Sequence, residues 1–245
     1  MDIIMVNLPQ EPKSLEIIRR IQSDSFSARD HLLNIFKAAL SAAPFFGAIS
    51  SLMNDYIPSS RAGRMEGFAA QVAEDLRQLQ DKVRSEYILT DDFAFLFEKC
   101  FRAVAETPQK EKLQALRAVL VNSTVSTDLK EEEKEFFLSL AMNLSTLHLR
   151  ILRFMATPEE YLKAANIPPQ KITGGFAEFF PVAMPGIHLD VIKSAFADLY
   201  QYGLSSTDRG IFGTITAGRG LELLKGRVSA LGQSFISFCT IRSQQ

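Results

Sequence analysis

Three histidines, two cysteines and one acidic run are the residues of this 245-residue chain whose types could support chemistry. His31 follows Asp30 at a helix start, the setting of a tuned base. No cysteine, serine or second histidine stands at a spacing that would use it, so a surface histidine is expected. His148 lies between Leu147 and Leu149 and reads as structural, while His188 follows Gly186-Ile187 at a helix start, where capping or solvent accounts for it. Glu131-Glu132-Glu133 with Glu135 resembles a metal cluster on paper. Adjacent residues on a helix point in different directions, so a solvated helix start is the expectation. Two cysteines make one bridge at most; Cys100 and Cys239 are expected to be free thiols in a reducing, cytoplasmic setting.

Linear motifs add nothing to this set. HExxH, CxxC, Walker A and GxSxG patterns do not occur. Gly218-Arg219-Gly220 lacks the glycine spacing and the Lys-Ser/Thr of a phosphate loop, which leaves a turn or wing tip. No catalytic residue, metal ligand, cofactor or small-molecule substrate is assigned, and a non-enzymatic protein is expected.

The elements that would position these residues are mostly helices. Leu15, Ile17, Ile18 and Ile21 form an amphipathic turn or two, and Ser27 can cap a helix that ends or kinks at Pro44. After Pro58 the spacing of Met65, Phe68, Val72, Leu76, Leu79 and Val83 predicts the longest helix, Ser60 to Ser85. At 1.5 Å per residue it would be about 39 Å long. Its narrow stripe suits a bundle or a coiled-coil seam, and these six residues are the candidate partner interface. Thr90 caps the next helix, where Phe93, Leu96, Phe97, Cys100, Phe101 and Val104 form a broad core stripe. Thr107-Pro108 opens another, and Lys130–Met142 follows with Phe136, Phe137 and Leu140 facing inward.

The character of the chain changes after Asn143. Helices over Ser145–Met155 and from Thr157-Pro158 precede a loop punctuated by Pro168-Pro169, Gly174-Gly175, Pro181 and Pro185. Ile187–Tyr202 is helical again, with Gly203 as its stop. Ile211–Thr216 favours extended structure, Arg227–Gly232 reads as a short strand-like run, and an apolar helix over Gln233–Cys239 closes the chain. This order predicts a mainly α protein with two domains. An N-terminal helical bundle over 1–143, containing the long helix, precedes a winged-helix-like α+β domain over 144–245.

Charge bounds the partners only loosely. The 27 basic and 28 acidic residues leave a net charge of −1, far from the basic footprint of a nucleic-acid module. Residues 1–145 carry 17 basic and 21 acidic side chains, and residues 146–245 carry 10 and 7. The wing, Asp208–Arg227, would offer Arg209, Arg219, Lys225 and Arg227 to DNA phosphates. The helix that would read bases sets Lys193 and Gln201 against Asp190 and Asp198, which disfavours DNA as a partner. Residues 38–54 carry no charge and include Pro44 and Gly47; a buried hairpin is expected there, with membrane association as the alternative. No stretch reaches the roughly 20 apolar residues of a bilayer span, and the opening Met-Asp-Ile-Ile-Met-Val lacks the pattern of a signal peptide.

One family resembles this order of features. The helix Leu113–Val125 with Asn122-Ser123 and the helix Phe136–Leu140 lead to Leu144-Ser145-Thr146-Leu147-His148-Leu149-Arg150-Ile151-Leu152. Asp198–Leu204 and Ala230-Leu231-Gly232-Gln233-Ser234-Phe235 follow. Together these resemble the bacterial abortive infection alpha proteins over residues 60–240. The resemblance implies a long helix before a helical domain with a winged-helix-like end, and a role in phage defence or stress response, with no catalytic residue to carry over. The expectation is an interaction protein that binds a protein partner or a second copy of itself. A DNA-binding regulator using the wing and a membrane-acting effector using residues 38–54 are the alternatives.

Overall fold

The computed structural model describes residues 64, 67, 68, 71, 72, 74–76, 78, 79, 81–88, 90–126, 128–214 and 220–241. Among them the protein is mainly helical. They fall into two compact units divided between Glu106 and Thr107. The two helices after Thr107 fall in the second unit, where the first of them packs against three later helices.

In the first unit, helical backbone at Arg64, Gly67, Phe68, Gln71, Val72, Glu74–Leu76 and Gln78 gives way to a turn at Leu79 and Asp81-Lys82. The helix expected to run on to Ser85 thus stops about two turns early. The Leu79 carbonyl accepts from both Lys82 N–H, at 2.8 Å, and Val83 N–H, at 3.1 Å, and the redirected chain buries Tyr87 and Ile88. A single turn of helix, α1 (Ser85–Ile88), leads to α2 (Asp91–Glu106). Thr90 caps α2 by accepting the Phe93 N–H at 3.3 Å, and Asp91 and Asp92 complement the dipole of its first turn. Its buried face holds the expected Phe93, Leu96, Phe97, Cys100, Phe101 and Val104. At the other end the Arg64 guanidinium donates to the carbonyls of Val104, 3.0 Å, and Ala105, 2.8 Å, satisfying acceptors that a helix C-terminus leaves open.

The second unit comprises α3 (Lys110–Val125), α4 (Glu131–Asn143), α5 (Thr146–Ala156), α6 (Pro158–Ala164), α7 (Phe176–Ala183), α8 (Leu189–Gln201) and α9 (Ala230–Phe238). Short 3-10 turns lie at Pro169–Lys171, Arg209–Gly213 and Gly220–Leu224. Helix α3 packs on α4, α5 and α9, and α5 packs on α6, α8 and α9. On α4 the inward residues are Lys134, Phe137, Leu138, Leu140 and Ala141, whereas Phe136, expected inside, is 46% exposed.

Helix α7 replaces what reads as loop, and it forms despite Pro181 in its interior. A proline there removes one hydrogen bond and costs about 3 kcal/mol. Full burial of Phe176, Phe179 and Phe180 returns about 1.5–3 kcal/mol for each ring, so packing wins over propensity. Phe180 is the hub, with ring centroids at 5.4 Å to Phe154, 5.2 Å to Phe176, 5.8 Å to Phe196 and 5.3 Å to Phe212.

The expected wing takes a different form. No strand is present among the described residues; the antiparallel pairing is one isolated bridge between Ser205 and Val228. Asp208 accepts the Gly210 N–H at 2.5 Å and starts the 3-10 turn over Arg209–Gly213 in place of the extended segment expected at Ile211–Thr216. That turn buries Phe212 against Phe176, Phe180 and Phe196. The aromatic core thus claims the residue that an extended wing would have carried. Residues 215–219 lie outside the described set. The mainly α class stands, and among the described residues the β part of the winged-helix-like reading is not supported: 3-10 turns stand between the two residues of a single isolated bridge.

Candidate functional site

Helices α3, α5, α6 and α9 surround a cleft of about 510 Å³, within the size range of small-ligand sites. Each helix lines it with one face. From α5 come Leu149, Arg150, Leu152 and Arg153, with Thr157 just after it, so both arginines stand three apart on one side of that helix. Helix α3 contributes Glu111, Gln114, Ala115 and Arg117, and α6 with its C-cap Ala165 contributes Glu160, Tyr161 and Ala164. The end of α9 adds Phe235, Ile236, Cys239, Thr240 and Ile241. Small alanines where bulkier residues would meet leave the space open, over buried Ala115, Leu152 and Phe235.

Two anchors fix these walls. Tyr161 donates its hydroxyl to the Ala183 carbonyl at 3.0 Å and accepts from Arg150 Nε at 3.3 Å, which orients the Arg150 guanidinium. Asn122 on α3 donates its side-chain N–H groups to the carbonyls of Phe238, 2.8 Å, and Thr240, 3.1 Å. Those are open acceptors at the C-terminus of α9, so one amide holds the chain end that carries Cys239 and Thr240. Burial pushes the thiol of Cys239, half-buried at the cleft wall, above its ordinary range.

A second polar constellation lies at the start of α5. Ser145 Oγ stands 2.7 Å from His148 Nδ1, and His148 Nε2 stands 3.1 Å from Asp198 Oδ2 on α8. Serine, imidazole and carboxylate in series resemble a nucleophilic triad. The Ser145 backbone N–H also donates to Nδ1, at 3.1 Å, so that nitrogen is an acceptor closing a capping box and Nε2–H donates to Asp198. The base position is already engaged by the helix cap. Arrangement and bonding fit a strut that pins α5 to α8, which agrees with a structural His148. Neither Arg117, Arg150 and Arg153 nor the Ser145–Asp198 link stands out in the sequence. The three-residue spacing of Arg150 and Arg153 on amphipathic α5 is the one local signal, and contacts 50 residues apart leave none.

The residues singled out from the sequence are scattered. Of the stripe offered as a partner interface, Phe68, Val72 and Leu76 are buried within the first unit, Leu79 and Val83 are half-buried, and Met65 lies outside the described residues. Phe68 meets Phe101 edge-on at 5.4 Å, so this part of the stripe packs its own unit. Of the wing cations, Arg209 and Lys225 are exposed, and Arg219 lies outside the described residues. Arg227 is turned inward, donating Nε to the Leu223 carbonyl at 3.0 Å and Nη1 to Thr207 Oγ1 at 3.2 Å. The glutamates of α4 serve their own helix: Glu133 accepts the Lys130 N–H at 2.9 Å and Glu131 pairs with buried Lys134 at 2.7 Å. His188 caps α8, accepting the Asp190 N–H at 3.4 Å. His31 and residues 38–54 lie outside the described set.

Several large apolar side chains of the second unit are exposed, among them three near the end of α8 and the start of α9. Tyr200 and Tyr202, at the end of α8, are 47% and 43% exposed, and Leu231 on α9 is 37% exposed. Leu231 lies over Gly203, its Cδ2 within 3.6 Å of where a β-carbon would stand, which sets it beside Tyr202. Among the described residues no group of three or more His, Cys, Asp or Glu is placed to hold a metal ion, and no helix is long and apolar enough to cross a membrane. In comparison with known proteins, the chain matches no protein-family model, no curated protein and no solved structure.

Proposed function

We propose that this protein works by binding another protein, and that the Tyr200–Tyr202–Leu231 surface of its second unit is the contact. The carrying observation is exposure on adjoining stretches of chain: Tyr200, Tyr202 and Leu231 are each more than a third exposed, and Leu231 lies against Gly203, the residue that follows Tyr202. Tyrosines are the residues that interfaces favour, combining large apolar area with a polar tip and little rotamer freedom to lose. The buried stripe of the first unit does not compete for this role, because Phe68, Val72 and Leu76 are already packed. The resemblance to abortive infection alpha proteins supports placing such binding in bacterial phage defence or stress response.

Sedimentation velocity of the labelled full chain, alone and in bacterial extract, tests this. The expected result is a species heavier than the monomer that is lost in a Tyr202→Asp, Leu231→Asp double variant whose circular dichroism is unchanged. A chain that sediments as a monomer under both conditions, or a heavy species indifferent to the double variant, refutes it.

A further inference from the structure

We infer that the cleft between α3, α5, α6 and α9 is a binding site for a small amphiphilic oxyanion, a phosphate or carboxylate group carried on an apolar body. Arg117, Arg150 and Arg153 line a single cavity of about 510 Å³ whose other charged residues are Glu111 and Glu160; Arg117 has a partner of its own, so Arg150 and Arg153 are the two that would grip a ligand. Cations outnumber anions there, while the chain as a whole carries a net charge of −1. Guanidinium is the side chain that matches an oxyanion with two parallel N–H bonds. Arg150 is held for the task by Tyr161, which is itself fixed on the Ala183 carbonyl. That bond uses Nε and leaves the terminal nitrogens of Arg150 without a hydrogen bond among the described residues; Arg153 makes no side-chain hydrogen bond or ion pair among them either.

The remaining lining supplies the apolar half of the site. Ala164, Ala165 and Ile236 line the cleft with the buried Leu152 and Phe235 behind them. A ligand of oxyanion alone would leave that surface wet, and a purely apolar ligand would desolvate the terminal nitrogens of half-buried Arg150 without giving them a partner, a costly arrangement. An anion with an apolar body satisfies both. This site is separate from the Tyr200–Leu231 surface, so either reading can fail without the other.

The test is calorimetric titration of the full chain with octyl phosphate, octanoate, inorganic phosphate and octyltrimethylammonium, all below micelle formation. At least one of the two anionic amphiphiles binds, and the tighter one identifies the head group as phosphate or carboxylate. Inorganic phosphate binds about tenfold or more weaker than octyl phosphate if phosphate is the head, and the cation does not bind. Arg153→Gln and Arg150→Gln each weaken the favoured anion by about tenfold or more, whereas Arg209→Gln, outside the cleft, leaves it unchanged. Because Arg153 is exposed, its substitution keeps the test valid even if Arg150→Gln disturbs the Tyr161 anchor. Binding of neither anion, equal binding of the cation, or affinity unmoved by Arg153→Gln overturns the inference.

Discussion

Substituting Gly232 by alanine tests how the last helix is seated. A β-carbon there would stand 2.2 Å from the Leu204 carbonyl oxygen and 2.7 Å from Val228 Cγ1. The valine methyl can rotate away, but the carbonyl is backbone and already accepts the Ser229 N–H at 3.1 Å. Restoring ordinary contact means moving α9 or the 204–205 segment by about 1 Å, an overpacking strain of about 1–3 kcal/mol. The Ser229 bond would be lost or stretched with it, about 1 kcal/mol. Alanine returns some helix propensity, at most about 1 kcal/mol, and less in the first turn, where Gly232 donates its N–H to the Ser229 cap at 2.9 Å. The balance is a loss of about 2–3 kcal/mol, or roughly 4–12 °C in melting midpoint. Thermal unfolding followed by far-ultraviolet circular dichroism measures it. Gly213→Ala is the control: nothing lies within 4 Å of its β-carbon position, so its midpoint stays within about 0.5 kcal/mol of wild type. If Gly232→Ala melts with the wild type, α9 does not approach Leu204 as described, and the closure of the cleft by its C-terminal end fails as well.

Two further outcomes are expected. Phe180→Ala removes the hub of the aromatic core and lowers stability by about 3–5 kcal/mol, read by urea unfolding, while Phe136→Ala, at a ring 46% exposed, costs under about 1 kcal/mol; similar losses at both positions would refute the assignment of the hub. The folded state holds the Cys239 thiol protonated at pH values where an unfolded thiol, ordinarily near 9.0, ionises. Its folded value is raised, so the folded chain binds more protons and stability falls as pH climbs through and beyond the ordinary value. Cys239→Ser flattens that alkaline fall in unfolding free energy between neutral and strongly alkaline pH, and an unchanged slope would show that the sulfur is not shielded.

Helices with a regular stripe were legible because burial of one face and the local period dictate each other. Helix α2 shows this best: its buried face is the set of residues that the spacing marks, and Thr90 with two aspartates marks its start. Where the period was not the deciding term, the reading changed. Pro181 and the paired glycines predict a loop, yet three phenylalanines with a common burial site outweigh one missing hydrogen bond. Ile211–Thr216 has β-prone composition, yet Phe212 joins a ring cluster contributed by α5, α7 and α8. Neither outcome is written in a local window, since each depends on residues 15 to 60 positions away.

The candidate site was less legible for the same physical reason. A catalytic motif clusters functional groups in sequence because one loop or helix must present them together; a cleft lined by four helices does not. Arg117 and Arg150 stand 33 residues apart in the chain and reach one cavity because α3 packs on α5. Asn122 makes the dependence explicit. It reads as an ordinary polar residue near a helix end, and its side chain bonds carbonyls 116 and 118 residues later. The chemistry of the cleft therefore depends on a tertiary hydrogen bond that no spacing rule records. A substitution at Asn122, which is not among the lining residues, would reshape the wall that carries Cys239 and Thr240 without touching a guanidinium.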